Sequence, residues 1–227
     1  MIDSALLGVY IFGSVGRRQQ DDLSDLDILA VVRNGAGKVP DARIAHFIPA
    51  NLQTLKLSIS WYGATRLQEM FCNGELFAWH LHRETLPLYD PIKFLHELGK
   101  PESYRDAIAD SRSFQKVLEG IPSQVQANAN NAIYEAGLVY VCLRNAAMAA
   151  SWSLCKSPDF TRYSPFRLEG IRPCPISRDE FDVTMACRMA GQRGKVPPSS
   201  VDAAFVLDVY RRLEPWIEEL CRVLEKV

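Results

Sequence analysis

Asp25 and Asp27 stand one residue apart at the head of an apolar run, Leu26 to Val32 ("LDILAVV"). Residues i and i+2 of a strand project to the same face, so both carboxylates point one way and Leu26 and Ile28 the other. Two carboxylates that close repel, and both stay ionised only when something positive lies between them. A divalent cation does this, and Mg²⁺ takes one or two carboxylates together with water and phosphate oxygens. The pair therefore reads as a metal clamp. The second half of the constellation is Gly13-Ser14, which directly follows an earlier apolar run, Leu6 to Phe12 ("LLGVYIF"), and is separated from Asp25 by ten residues. A glycine there permits a sharp turn and lets an anion approach backbone N–H groups closely. The Ser14 hydroxyl, with Arg17 or Arg18, adds donors for a triphosphate. Asp21 and Asp22 read as loop charges.

The elements that must position these groups are short. The runs at Leu6 to Phe12 and Leu26 to Val32 are the β-rich segments expected of buried sheet strands, and Gly35 and Gly37 end the second. Leu55 to Tyr62 ("LKLSISWY") alternates apolar and polar residues as a third strand with one buried face. Ala64 to His82 predicts helix, interrupted at "CNG", residues 72–74, and Leu86 to Tyr89 predicts a short edge strand. After about residue 100 alternation gives way to helical patterns. Helices are expected over Ser103 to Glu119, closed by Gly120 and Pro122, and over Ser123 to Lys156. A proline-rich ordered loop follows. "SRDE", residues 177–180, is a capping box that opens a third helix. Ser199 or Ser200 is expected to cap a last helix, with a kink at Pro215.

Composition bounds the rest. The chain has 227 residues, 48% of them hydrophobic and 23% charged, enough for one large or two small globular domains. Its net charge of −1 supplies no bulk field for nucleic acid, which is not expected as a partner. Six scattered cysteines without C-x-x-C pairs suit reduced thiols and a cytoplasmic setting. Glu135, Arg144 and Asn145 interrupt the apolar stretch Ala132 to Cys155, so a buried core helix is expected there and no membrane association. His80 and His82 diverge by about 200° on a helix and do not form a metal pair. The run "RNAAMA" at Arg144 carries Ala149 where an R-x4-H nuclease motif would place histidine, so no ribonuclease is read there.

Strand, Gly13-Ser14, ten residues, then Asp25-Leu26-Asp27 opening a second strand resembles the G-S-x10-D-x-D signature of the polymerase-β-like nucleotidyltransferase superfamily. Ser24 before the pair is also similar to that pattern. The resemblance spans residues 6–32 most closely and extends to about residue 91, where "GELFAWHLHRETLPLYDP" looks like the helix and return strand of that fold. Beyond residue 100 it is architectural, similar to the minimal and kanamycin-nucleotidyltransferase-like members. It implies an α+β fold: an N-terminal nucleotidyltransferase α/β domain with a small mixed sheet, residues 1–98, followed by a C-terminal helical bundle, 99–227, that binds substrate or partner.

What the resemblance implies about function follows. Asp25 and Asp27 are the catalytic metal ligands, and Gly13, Ser14 and Arg17 hold the nucleoside triphosphate, ATP being expected. Mg²⁺ is the cofactor, and AMP passes to a hydroxyl of a small molecule or a protein. A homodimer is compatible with this reading. The chain departs from the family in two places. Only residues 1–4 precede the first strand, where the family has a helix, and the strand expected to carry a third carboxylate holds Ser58 and Ser60. Glu69 or Glu75 from the following helix is the candidate replacement. The rival expectation is a pseudo-nucleotidyltransferase that binds nucleotide or a partner without transfer, for example within a toxin–antitoxin pair.

Overall fold

The structure is a computed structural model that describes residues 5–21 and 24–227. The expectations for Asp22 and for residues 1–4 fall outside that range. The chain divides into two compact units, Met1–Arg105 and Asp106–Val227.

The first unit is built on β1 (Leu6–Phe12), β2 (Leu26–Val32), β3 (Leu57–Gly63) and β4 (Leu86–Tyr89), in the spatial order β3-β2-β1-β4. Strands β1 and β2 are antiparallel, as are β1 and β4, whereas β2 and β3 run parallel, so the sheet is mixed. The two central strands are the two continuous apolar runs, because both of their faces are covered. Val9, Ile11, Ile28 and Ala30 pack on one side with Val15, Ile44 and Ile48. Tyr10, Phe12, Leu29 and Val31 pack on the other with Leu67, Met70 and Leu81. Strand β4, which contains Pro87, lies at an edge, where a missing N–H costs no ladder bond.

Short helices fill the connections: α1 (Gly13–Gly16), α2 (Asp41–Ala45), α3 (Ala64–Cys72), α4 (Leu76–Glu84) and α5 (Phe94–Leu98). The predicted break at "CNG" is present, with Gly74 at φ +66° between α3 and α4. Helices α2 and α5, five residues each, are too short for apolar periodicity to register.

The second unit is helical: α6 (Ala107–Ala127), α7 (Ala132–Leu154), α8 (Arg178–Arg193) and α9 (Ala203–Leu224). Helix α6 continues through Gly120 and Pro122 instead of closing there. An interior proline costs about 3 kcal/mol. Beyond it the helix buries Val125 to 1% exposure, worth about 1.5–3 kcal/mol, which offsets much of that loss. The break comes instead at Asn128, whose side chain accepts from the Asn130 N–H. The Ser177–Glu180 capping box is formed as predicted. Helix α9 is capped by Asp202, which accepts from the Phe205 N–H at 2.8 Å, not by Ser199 or Ser200. Among the described residues no helix is long and apolar enough to cross a membrane.

Candidate active site

Strand β1 delivers the chain into α1, a single helical turn that begins at Gly13 with φ +70°. L side chains avoid that region because Cβ crowds the carbonyl oxygen. A second constraint acts on the same atom. A Cβ built on Gly13 would lie 2.7 Å from Oδ2 of Asp27. The register explains why, since Phe12 pairs with Asp27 across β1 and β2. The structure thus brings the glycine of the Gly13-Ser14 turn into contact with the second carboxylate of the pair. Asp25 immediately precedes β2, and both it and Asp27 are half-buried. Just before the pair, the Ser24 hydroxyl donates to Asp21 Oδ1 at 2.8 Å and accepts from the Asp21 N–H at 3.0 Å.

The exit from α1 is a Schellman motif. The Gln19 N–H donates to the Ser14 carbonyl and the Arg18 N–H to the Val15 carbonyl, at 2.8 and 3.0 Å. Arg18 occupies the left-handed position, φ +58°, that this motif usually gives to glycine. Gly16 approaches the end of α4 so closely that a Cβ there would lie 2.5 Å from the Glu84 carbonyl oxygen.

Arg17 is paired. Its Nη1 lies 2.5 Å from Glu84 Oε2 and its Nε donates to Gln19 Oε1 at 3.2 Å. Glu84 Oε2 also lies 2.7 Å from His80 Nε2, and the His80 ring stands edge-on to Phe12 at 5.5 Å. Glu84 is 7% exposed, so this ion pair is shielded from solvent and fastens the turn after β1 to α4. The Arg17–Glu84–His80 cluster was not anticipated from sequence. The one available signal was the i,i+4 spacing of His80 and Glu84, which places both on one helix face. His82, by contrast, is exposed.

The third-carboxylate question has a geometric answer. Ser58 is the β3 neighbour of Asp27 and Ser60 that of Leu29, so Ser58 occupies the position beside the pair. Arg66 engages Glu75 at both carboxylate oxygens, 2.7 and 2.8 Å, and lies 4.0 Å from Glu69. Among the described residues no three His, Cys, Asp or Glu side chains form a metal-holding group, so neither glutamate completes the site. Two carboxylates with a hydroxyl beside them still suit a hard ion that keeps several waters and takes phosphate oxygens.

The unit also has a cavity of about 300 Å³, lined by Arg33, Lys38, Trp61 and Tyr62 among others. It lies at the opposite end of β2, about 20 Å along the strand from Asp27 at 3.3 Å per residue, and takes no part in this constellation.

No family model matches the chain, and no curated protein does. Among solved structures the chain is similar to a nucleotidyltransferase-like protein from Exiguobacterium sibiricum 255-15, with 14% identity and a TM-score of 0.38 over 96% of this chain and 69% of that one.

Proposed function

We propose that the protein is a Mg²⁺-dependent nucleotidyltransferase that moves AMP from ATP to a hydroxyl of a small molecule or a protein. The contact between Gly13 and Asp27 carries this reading, because it joins the anion-binding turn to the carboxylate pair across two strands. Asp25 and Asp27 hold the metal, and the backbone of Gly13 and Ser14 with the Ser14 hydroxyl holds the triphosphate. Arg17 has five guanidinium donors, of which Glu84 and Gln19 each engage one, so donors remain for a phosphate oxygen. Mg²⁺, when bound, neutralises charge on the triphosphate and lowers the pKa of the acceptor hydroxyl. The acceptor oxygen bonds to the α-phosphorus and the bridging P–O bond to the β-phosphate breaks. Pyrophosphate leaves with the electron pair, and the hydroxyl proton passes to water.

The test is calorimetric titration of the whole chain with ATP, GTP, CTP and UTP, with and without Mg²⁺. ATP binding that requires Mg²⁺ and vanishes in Asp27→Asn is the expected result. Equal binding in that variant would remove the metal-clamp assignment.

Ser58 beside Asp27 favours a second reading, nucleotide binding without transfer. Mg²⁺-dependent ATP binding without pyrophosphate release across a panel of hydroxyl acceptors, with release appearing only in Ser58→Asp, is the result that would choose it.

A further inference from the structure

The helical unit contains a cavity of about 220 Å³ between α7 and α8, lined by Tyr140, Arg144, Asn145, Arg188 and Gln192 above a floor of Met185 and Met189. Two arginines therefore border one small space. Several other arginines of the unit are matched to carboxylates: Arg112 to Glu225, Arg172 to Glu219, and Arg212 to Glu180 and Asp208. Among the described residues Arg144 and Arg188 have no carboxylate partner. Arg144 Nη2 donates to the Phe160 carbonyl at 3.3 Å, and its Nε is buried without an acceptor. Among the described residues the Arg188 guanidinium meets the Gln192 amide, whose oxygen, turned toward it, accepts from Nη2 at 2.5 Å and from Nε at 3.3 Å. Arg212 Nε also lacks an acceptor, but the charge of that residue is met by Glu180.

Two cations without counter-charges repel each other, and a buried N–H without an acceptor forfeits its hydration. An anion between them removes both costs. The planar guanidinium fork suits the paired oxygens of phosphate or carboxylate, and a neutral donor such as the Asn145 amide adds orientation. The volume selects among anions. Cavities for drug-sized ligands begin at about 300 Å³, so this one suits a single small group and not a nucleotide. We infer that the pocket between α7 and α8 is a binding site for a small oxyanion of the phosphate class, held by Arg144 and Arg188. The inference stands apart from nucleotidyl transfer, since none of its residues belongs to the strand-borne constellation.

The experiment is thermal unfolding of the full chain in increasing inorganic phosphate against sodium chloride of matched ionic strength, in an Asp27→Asn background that disables the triphosphate site. A saturable rise in Tm, with a Kd weakened at least ~10-fold in Arg188→Gln as expected for one lost charged contact, supports the site. Arg144 Nε–Hε should also shift with phosphate in the nitrogen–proton NMR spectrum. If Arg188→Gln fails to fold, Arg188→Lys carries the test, because it keeps the charge and loses the fork. Sulfate and acetate separate a tetrahedral anion from a planar one, and acetate alone being effective would overturn the phosphate class. No saturable shift beyond chloride, or an unchanged Kd in the arginine variants, would overturn the site.

Discussion

Gly13 does two things at once: it takes φ +70°, a backbone region that L side chains rarely adopt, and it leaves room for Asp27 Oδ2. Gly13→Ala should therefore cost about 1–2 kcal/mol in stability from the left-handed backbone alone. It should also displace Asp27, so ATP binding falls further than stability does. Denaturant unfolding and calorimetry on the same variant separate the two effects. Arg18 presents the opposite case, a non-glycine in the glycine position of a Schellman motif. Arg18→Gly should stabilise the protein by about 0.5–1 kcal/mol, read as a higher denaturant midpoint at unchanged slope. Local pattern singled out Gly13 and Asp27 through strand alternation and the spacing between them, but not the contact that joins them, which follows from the β1–β2 register. It did not reveal that Arg17 is paired to Glu84, 67 residues away, since that depends on where α4 docks. Ser58 was one of two candidates beside the pair until the parallel register of β2 and β3 selected it.

At the scale of elements, helices α6 and α9 show how burial overrides a breaker. Pro122 and Pro215 both lie inside continuous helices. The residues after them, Val125 in one and Trp216, Ile217 and Leu220 in the other, are almost wholly buried. A reading by breakers closes the first helix by Pro122 and kinks the last at Pro215, because it sees the lost N–H and not the face that the next turn covers. If packing alone carries α6 across residue 122, Pro122→Ala should gain about 1–3 kcal/mol by removing the steric clash and restoring a hydrogen bond. A loss of stability by denaturant unfolding would mean that the proline shapes the helix. Helices α8 and α9 are joined by Glu180 and Arg212, 2.5 Å apart. The Arg212 hydrogen bond holds the Glu180 carboxyl down at about 2, well below its ordinary range. A depressed carboxylate pKa stabilises fully above the unfolded value, about 4.3, and the contribution disappears as pH falls through 2. Between pH 5 and 2, wild type should therefore lose more Tm than Glu180→Gln does. Parallel Tm profiles would show that the pair adds nothing across that window.

The first unit, Met1–Arg105, has a sheet core, and the second, Asp106–Val227, packs helix on helix. The change from alternation to helical periodicity near residue 100 was visible in the sequence because it follows from how each core is covered. The basic pocket of the second unit was not visible. Arg144 and Arg188 are 44 residues apart, and only the docking of α7 on α8 brings them to one cavity. Each proposed ligand should consequently leave its mark within one unit, and hydrogen exchange can read where. A ligand at 100 times its Kd stabilises the state it binds by about 2.7 kcal/mol. Amides that exchange through local opening of the bound segment slow by up to the corresponding ~100-fold. Mg²⁺ and ATP should slow exchange at the turn after β1 and at the start of β2, leaving residues 140–145 and 185–192 unchanged. Phosphate, with the triphosphate site disabled by Asp27→Asn, should protect those two helical segments and leave the turn unchanged. Protection of the helical pocket by ATP would instead mean that both observations report one nucleotide site. Protection of neither segment by phosphate would leave the two arginines as uncompensated charges with a structural cost and no ligand to offset it.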